Sequence, residues 1–171
     1  GPKLKGYVNH SGGAKGSDTA WGDVGKEYGV VTNAYYIENK TPTGNTELTA
    51  EDRKEGIVKA KQAANDLNRN WSTKRFIQNL LARNWFQVKN ADAVFAIAEF
   101  EGTYVKGGTA YAISMAIREN KTVYAYDQNT NNWLLWTGTE WKRTGTPTLT
   151  PNFAGIGTRN LTEDGVQAIR D

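Results

Sequence analysis

Ser11-Gly12-Gly13-Ala14-Lys15-Gly16-Ser17-Asp18 gathers three glycines, two hydroxyls, a lysine and a carboxylate into eight residues. Glycine has no Cβ, so a backbone built this way turns sharply and approaches a ligand closely. A helix opening at Ser17 and Asp18 would aim its unpaired N–H groups and the positive end of its dipole at the same place. The chemistry this favours is the holding of phosphate or another anion. Gly107-Gly108-Thr109 repeats the arrangement later in the chain, again ahead of a helical segment. Lys15 could add a point charge to a bound phosphate, although a solvated loop lysine explains it equally well. Asp18 could hydrogen-bond a ribose or base edge, yet an aspartate at a helix start also stabilises that start unaided.

Further candidates lie outside the two loops. Arg83 and Asn84 precede a central strand, and an arginine suits bidentate phosphate contact; the competing reading is an arginine answering a helix end. Asp127 and Gln128 close a strand on the presumed ligand side, where a turn-forming aspartate is the alternative. Of six tryptophans, Trp133, Trp136 and Trp141 fall in one short segment. Two are expected to pack and one, Trp133, to stack on a ligand ring. His10 beside Ser11 invites a nucleophile–base reading, but neighbouring strand residues point to opposite faces. Glu99 and Glu101 flank the second loop and are the residual acid–base candidates. With no cysteine and one histidine, thiolate chemistry and the familiar zinc patterns are absent. No cofactor is expected.

The elements that must position these residues follow from periodicity. Gly6 to Asn9 reads as a strand, and Thr19 to Tyr28 as the helix behind the first loop. Val30 to Tyr36 alternates as a second strand, and 38–49 is turn-rich and polar. Thr49 can cap a helix from Ala50, with Asp52 in its first turn. Ile57, Ala60, Ala64 and Leu67 give that helix one apolar stripe. Another helix begins near Ser72, with Phe76, Ile77, Leu80 and Leu81 as its buried face. Asp92 to Ala98 is nearly continuous apolar sequence, as in a parallel strand covered on both sides. A loop over 99–106 leads to a helix from Thr109 to about Asn120, apolar almost all round and so deeply packed. Lys121 to Asp127 is the next strand, completing a βαβ unit. A hairpin within 129–145, a strand at Phe153 to Ile156 and a helix from Thr162 to Ile169 complete the chain.

The fold class expected is α/β, one domain over 3–171, with a mainly parallel sheet, helices on both faces and a small C-terminal β-hairpin. Gly1-Pro2 reads as a cleavage scar. A length of 171 residues is enough for a substantial core. No apolar run approaches the roughly 18 residues of a bilayer span, and no signal peptide is visible, so a cytoplasmic place without a membrane partner is expected. Net charge is +3 with basic and acidic residues interspersed, whereas a nucleic-acid binder concentrates its basic face.

Ser11-Gly-Gly-Ala-Lys-Gly-Ser-Asp18, Ala91-Asp92-Ala93-Val94 and Gly107-Gly108-Thr109 together resemble the SLOG superfamily over roughly residues 5–128. That Rossmann-like group includes the LOG-type phosphoribohydrolases, the DNA-processing protein DprA and the YpsA-like proteins, whose first segment is the most similar. The resemblance implies a Rossmann-like sheet, a nucleotide-derived ligand and a homodimer. It also implies that Ser11, Gly12, Gly13 and Gly16 line the ligand, that Asp18 hydrogen-bonds it, and that Gly107, Gly108 and Thr109 hold a phosphate; Ser17, at the helix start, is a further ligand-binding candidate. The LOG enzymes carry a catalytic glutamate three residues after the threonine; here that position is Ala112.

Three functions compete. The first is a binder of a nucleotide or ADP-ribose-like molecule, acting by sequestration or sensing; one version is a phage-encoded anti-defence sponge for a host nucleotide signal. The second is a hydrolase of an N-glycosidic or phosphate bond in such a ligand. The third is a DprA-like nucleic-acid module, against which the scattered charge argues. The binder is the preferred expectation.

Overall fold

The computed structural model describes residues 4–13, 16–38 and 45–171. Lys15 and Ala14 therefore lie outside the described residues, as does the stretch 39–44 of the expected loop. The strands are β1 (Val8–Ser11), β2 (Val31–Tyr36), β3 (Thr46–Glu47), β4 (Ala93–Ala98), β5 (Phe100–Glu101), β6 (Tyr104–Val105), β7 (Thr122–Asp127), β8 (Asn132–Trp136), β9 (Trp141–Thr144) and β10 (Asn152–Gly157). The helices are α1 (Ser17–Glu27), α2 (Ala50–Asp66), α3 (Arg75–Asn90), α4 (Thr109–Arg118) and α5 (Glu163–Arg170).

Eight strands form one sheet in the order β3-β2-β1-β10-β4-β7-β8-β9. Pairing is parallel from β3 to β7 and antiparallel at β7-β8-β9. The fold is α/β and Rossmann-like. The expected C-terminal hairpin is present, and it extends the main sheet rather than standing apart. β5 and β6 make a separate two-stranded ribbon within the expected 99–106 loop.

The sheet divides the core in two. Against one face, α2, α3 and α4 bury Ala60, Leu81, Phe86, Ile113 and Met115 over Val94, Ala96 and Ala98. Against the other, α1 and α5 bury Trp21, Val24 and Ile169 over Phe95, Ile97 and Phe153. β4 is buried at all six positions, the outcome expected for an apolar run between two helical layers. Thr49 caps α2 reciprocally: its hydroxyl accepts from Asp52 N–H, and the Asp52 carboxylate accepts from Thr49 N–H.

Two expectations are corrected. α3 starts at Arg75 rather than near Ser72, because the Ser72 hydroxyl turns to accept from Lys74 N–H at 3.2 Å and holds the chain in a turn. Phe76 does not belong to the buried face of α3; it is 64% exposed. Residue 76 lies in the first turn of α3, where its neighbour Ile77 is the side chain that packs against the core.

β10 is the strand whose place is least expected. It lies between β1 and β4, paired in parallel with both. Gly155 lets it pass under the Trp21 ring, since a Cβ there would lie 2.5 Å from the indole. Trp21 Nε1 in turn donates to Ile156 O at 3.0 Å. The chain leaves β10 through Gly157-Thr158-Arg159, at the same carboxyl end where β1 and β4 release their loops.

Candidate functional site

In open α/β sheets ligands settle beyond the carboxyl ends of the strands, where the chain's direction across the sheet reverses. Here β1 leads toward β2 and β3, whereas β4 leads toward β7. A cleft of about 500 Å³ opens between those halves. Its walls bring together Asp18, Arg83, Asn84, Gly107, Gly108 and Thr109 with Gln87, Glu99, Lys106, Ala112, Thr158, Arg159 and Asn160.

The two glycine loops reach this cleft differently. At Gly107 and Gly108 an added Cβ would meet nothing within 4 Å, so the backbone there faces open space. Gly107 has φ +72°, a left-handed turn that lets the chain enter α4 abruptly. Arg69 holds the loop from behind, donating to Gly107 O at 2.7 Å and Val105 O at 3.1 Å. Its guanidinium also lies 5.6 Å from the Tyr111 ring centroid.

The first loop is closed by its own chain. Ser17 donates both its N–H (3.1 Å) and its hydroxyl (2.7 Å) to Thr158 O. Gly16 has φ +83°, and a Cβ on it would lie 2.7 Å from Arg159 Cα. The first amide of α1 is thus spent on the segment after β10, and Ser17 is fully buried. Ser11 is buried too, its hydroxyl accepting from Gly13 N–H at 3.0 Å. Among the described residues of the first loop, only Asp18 lines the cleft. Gly12 contributes indirectly: a Cβ there would lie 2.7 Å from Arg83 Nε. The missing side chain is the space in which that guanidinium sits.

Arg83 dominates the electrostatics. Its Nε is buried without a hydrogen-bond partner. Burial holds the guanidinium below its ordinary pKa, with nearby Asp18 opposing the shift and Arg159 adding to it. An arginine stays charged all the same. A desolvated cation with an orphan donor at a cleft wall costs free energy that a bound anion would return. Glu99 accepts from the Thr158 hydroxyl at 3.0 Å, and Gln87 donates to His10 O at 3.3 Å.

Other sequence candidates lie elsewhere. Asp127 ends β7 but turns away from the cleft; its carboxylate accepts from Asn129 N–H (2.9 Å) and the Thr130 hydroxyl (3.2 Å). Trp133, expected to stack on a ligand, packs instead on the α5 side, 7% exposed and edge-on to Tyr126. Strand alternation in β8 explains the reversal, since Leu134 and Trp136 take the opposite face. His10 is 6% exposed and hydrogen-bonds Tyr35 (2.9 Å) and Asn152 (3.0 Å). Tyr35 Oη already accepts from Asn33 and Asn90. Its proton therefore goes to His10 Nδ1, leaving Nε2–H to donate to Asn152. His10 and Ser11 indeed diverge.

Sequence reasoning left Gln87, Lys106, Thr158, Arg159 and Asn160 out of the site. The usable signal was Gly157-Thr158-Arg159 itself, a glycine turn at a strand's carboxyl end. Among the described residues no cluster of His, Cys, Asp or Glu is arranged to hold a metal ion, and no helix is long and apolar enough to cross a membrane. Compared with known proteins, the chain matches no family model, no curated protein and no solved structure.

Proposed function

We propose that this cleft binds a nucleotide or an ADP-ribose-like molecule through its phosphate, and that the protein sequesters or senses that ligand in the cytoplasm. One observation carries the reading: the Arg83 side chain, its Nε buried against Gly12 without a partner, lines the same cleft as the open Gly107-Gly108-Thr109 helix start. Arg159 and Lys106 add positive charge, while Asp18 offers a carboxylate suited to ribose hydroxyls. Ala112 presents a methyl to the cleft at the position where the LOG-type motif has its catalytic glutamate, which favours binding over phosphoribosyl hydrolysis. The SLOG resemblance adds a homodimer, and the narrowest version of the binder reading is a phage sponge for a host nucleotide signal.

Glu99 supports a second reading, hydrolysis, because it is a carboxylate already at the cleft wall. Calorimetric titration with nucleotides and ADP-ribose, followed by chromatography of the mixture, separates the two. Intact ligand recovered after tight binding supports sequestration or sensing. A cleaved product that disappears in Glu99→Gln would make the protein a hydrolase.

A further inference from the structure

The cleft does not end at Arg83. A second cavity of about 380 Å³ lies on the far side of that residue, bounded by Ile37, Glu38, Arg75, Phe76 and Asn79. Leu80 and Arg83 belong to the walls of both cavities. Phe76, Leu80, Arg83 and Gln87 follow one another at helical spacing, so a single face of α3 floors the whole groove. At 1.5 Å per residue, those positions span about 16 Å. Each cavity alone is within the usual size of a small-ligand pocket, about 300–1,000 Å³.

The guanidinium therefore stands between two chambers rather than at the end of one. An anion held there is flanked on both sides by space for more of the same molecule. Phe76 supplies what such a molecule would meet in the second chamber: an aromatic ring, 64% exposed, on which a planar base can stack. The outer wall is already ordered. Arg75 grips the Glu38 carboxylate through two donors, one of them Nε at 2.8 Å. Asn79 adds a further bond to Glu38 at 2.9 Å.

We infer that the ligand is a diphosphate-bridged molecule with a nucleoside at each end, its bridge at Arg83 and its second base against Phe76. This rests on the nucleotide reading of the cleft and specifies the class of molecule. A nucleoside monophosphate would fill one chamber only and leave Phe76 uncovered.

The test is calorimetry with AMP and GMP against NAD⁺ and the 5′,5′-diphosphate-bridged dinucleosides of adenine and of guanine. At least one bridged compound is expected to bind at least tenfold more tightly than either monophosphate. Phe76→Ala, a change at an exposed position, is expected to remove that advantage while leaving monophosphate affinity within twofold. Phe76→Trp is expected to restore it. Bridged and monophosphate ligands binding equally, or Phe76→Ala leaving the advantage intact, would overturn the second chamber's role with the nucleotide reading still standing. Failure of every compound to bind would overturn both.

Discussion

The two glycine-rich loops differ in what their missing side chains make room for. At 107–109 the absent Cβ atoms leave open space at the entrance to α4. At Gly12 and Gly16 the space is filled by the protein itself, by the Arg83 guanidinium and by the backbone of Arg159 respectively. One loop keeps its helix start available, and the other spends its first amide on Thr158 O. A glycine run before a helix is thus two different devices, an anion seat or a packing joint. Local sequence reads the same for both.

The contrast is broken most directly at the glycines. Gly157 faces Ser17 across the joint, with φ +151° and a would-be Cβ 2.3 Å from Ile97 O. Gly157→Ala is expected to cost about 3 kcal/mol or more, through strain and displaced strand backbone. Gly108→Ala, at φ −68° in open space, is expected to change stability by no more than about 1 kcal/mol, and in the stabilising direction. Urea titration of both variants decides; equal losses would erase the distinction between the loops.

Arg83→Met sharpens it next. Removing a buried cation with an orphan donor is expected to raise the free protein's stability by about 1–2 kcal/mol. The same change should weaken binding of a phosphate-bearing ligand at least a hundredfold, by calorimetry. A destabilised variant would mean that Arg83 serves the fold rather than a ligand. Ser17→Ala removes only the hydroxyl half of the clasp on Thr158 O and should cost about 1 kcal/mol. No loss would show that the joint is held by packing alone.

The smallest effect is at the rim. The Arg75 guanidinium, with help from Asn79, lowers the Glu38 carboxyl from its ordinary 4.5 to about 2. A folded pKa below the unfolded one contributes stability that is fully present above about pH 4.5 and is lost as pH falls through about 2. Both side chains are largely solvent-exposed, so salt should screen most of that contribution. Arg75→Gln is expected to return the Glu38 titration toward the ordinary range, followed by NMR. An unmoved titration would assign the shift to Asn79 instead.

What was legible in the sequence follows from how local each determinant is. The run DAVFAIA announced a strand covered on both sides because burial on both faces removes alternation, and β4 is buried throughout. Thr49 and Asp52 announced the start of α2, because a capping box closes within one turn. Arg83 and the 107–109 loop could be placed at one crevice because each directly flanks the apolar run or the helix that positions it. Trp133 and Phe76 could not be placed the same way. Their burial depends on which face of β8 meets α5, and on which side of the first turn of α3 meets the core. Neither is a property of neighbouring residues. The clasp between Ser17 and Thr158 joins positions too far apart for any local pattern to register.

The central place of β10 has a consequence for how the molecule comes together. Val8 pairs with Asn152 and Phe153 with Ala93, so the sheet has a gap in its middle until residue 157 has been made. Before then β1 with β2 and β4 with β7 are two fragments, each with an open hydrogen-bonding edge. Contacts separated by so much chain are slow to form, because loop closure precedes any return from pairing. During synthesis the nascent chain should therefore stay incompletely folded until its last strand emerges. The cleft, which straddles that gap, should appear only once β10 has paired with β1 and β4.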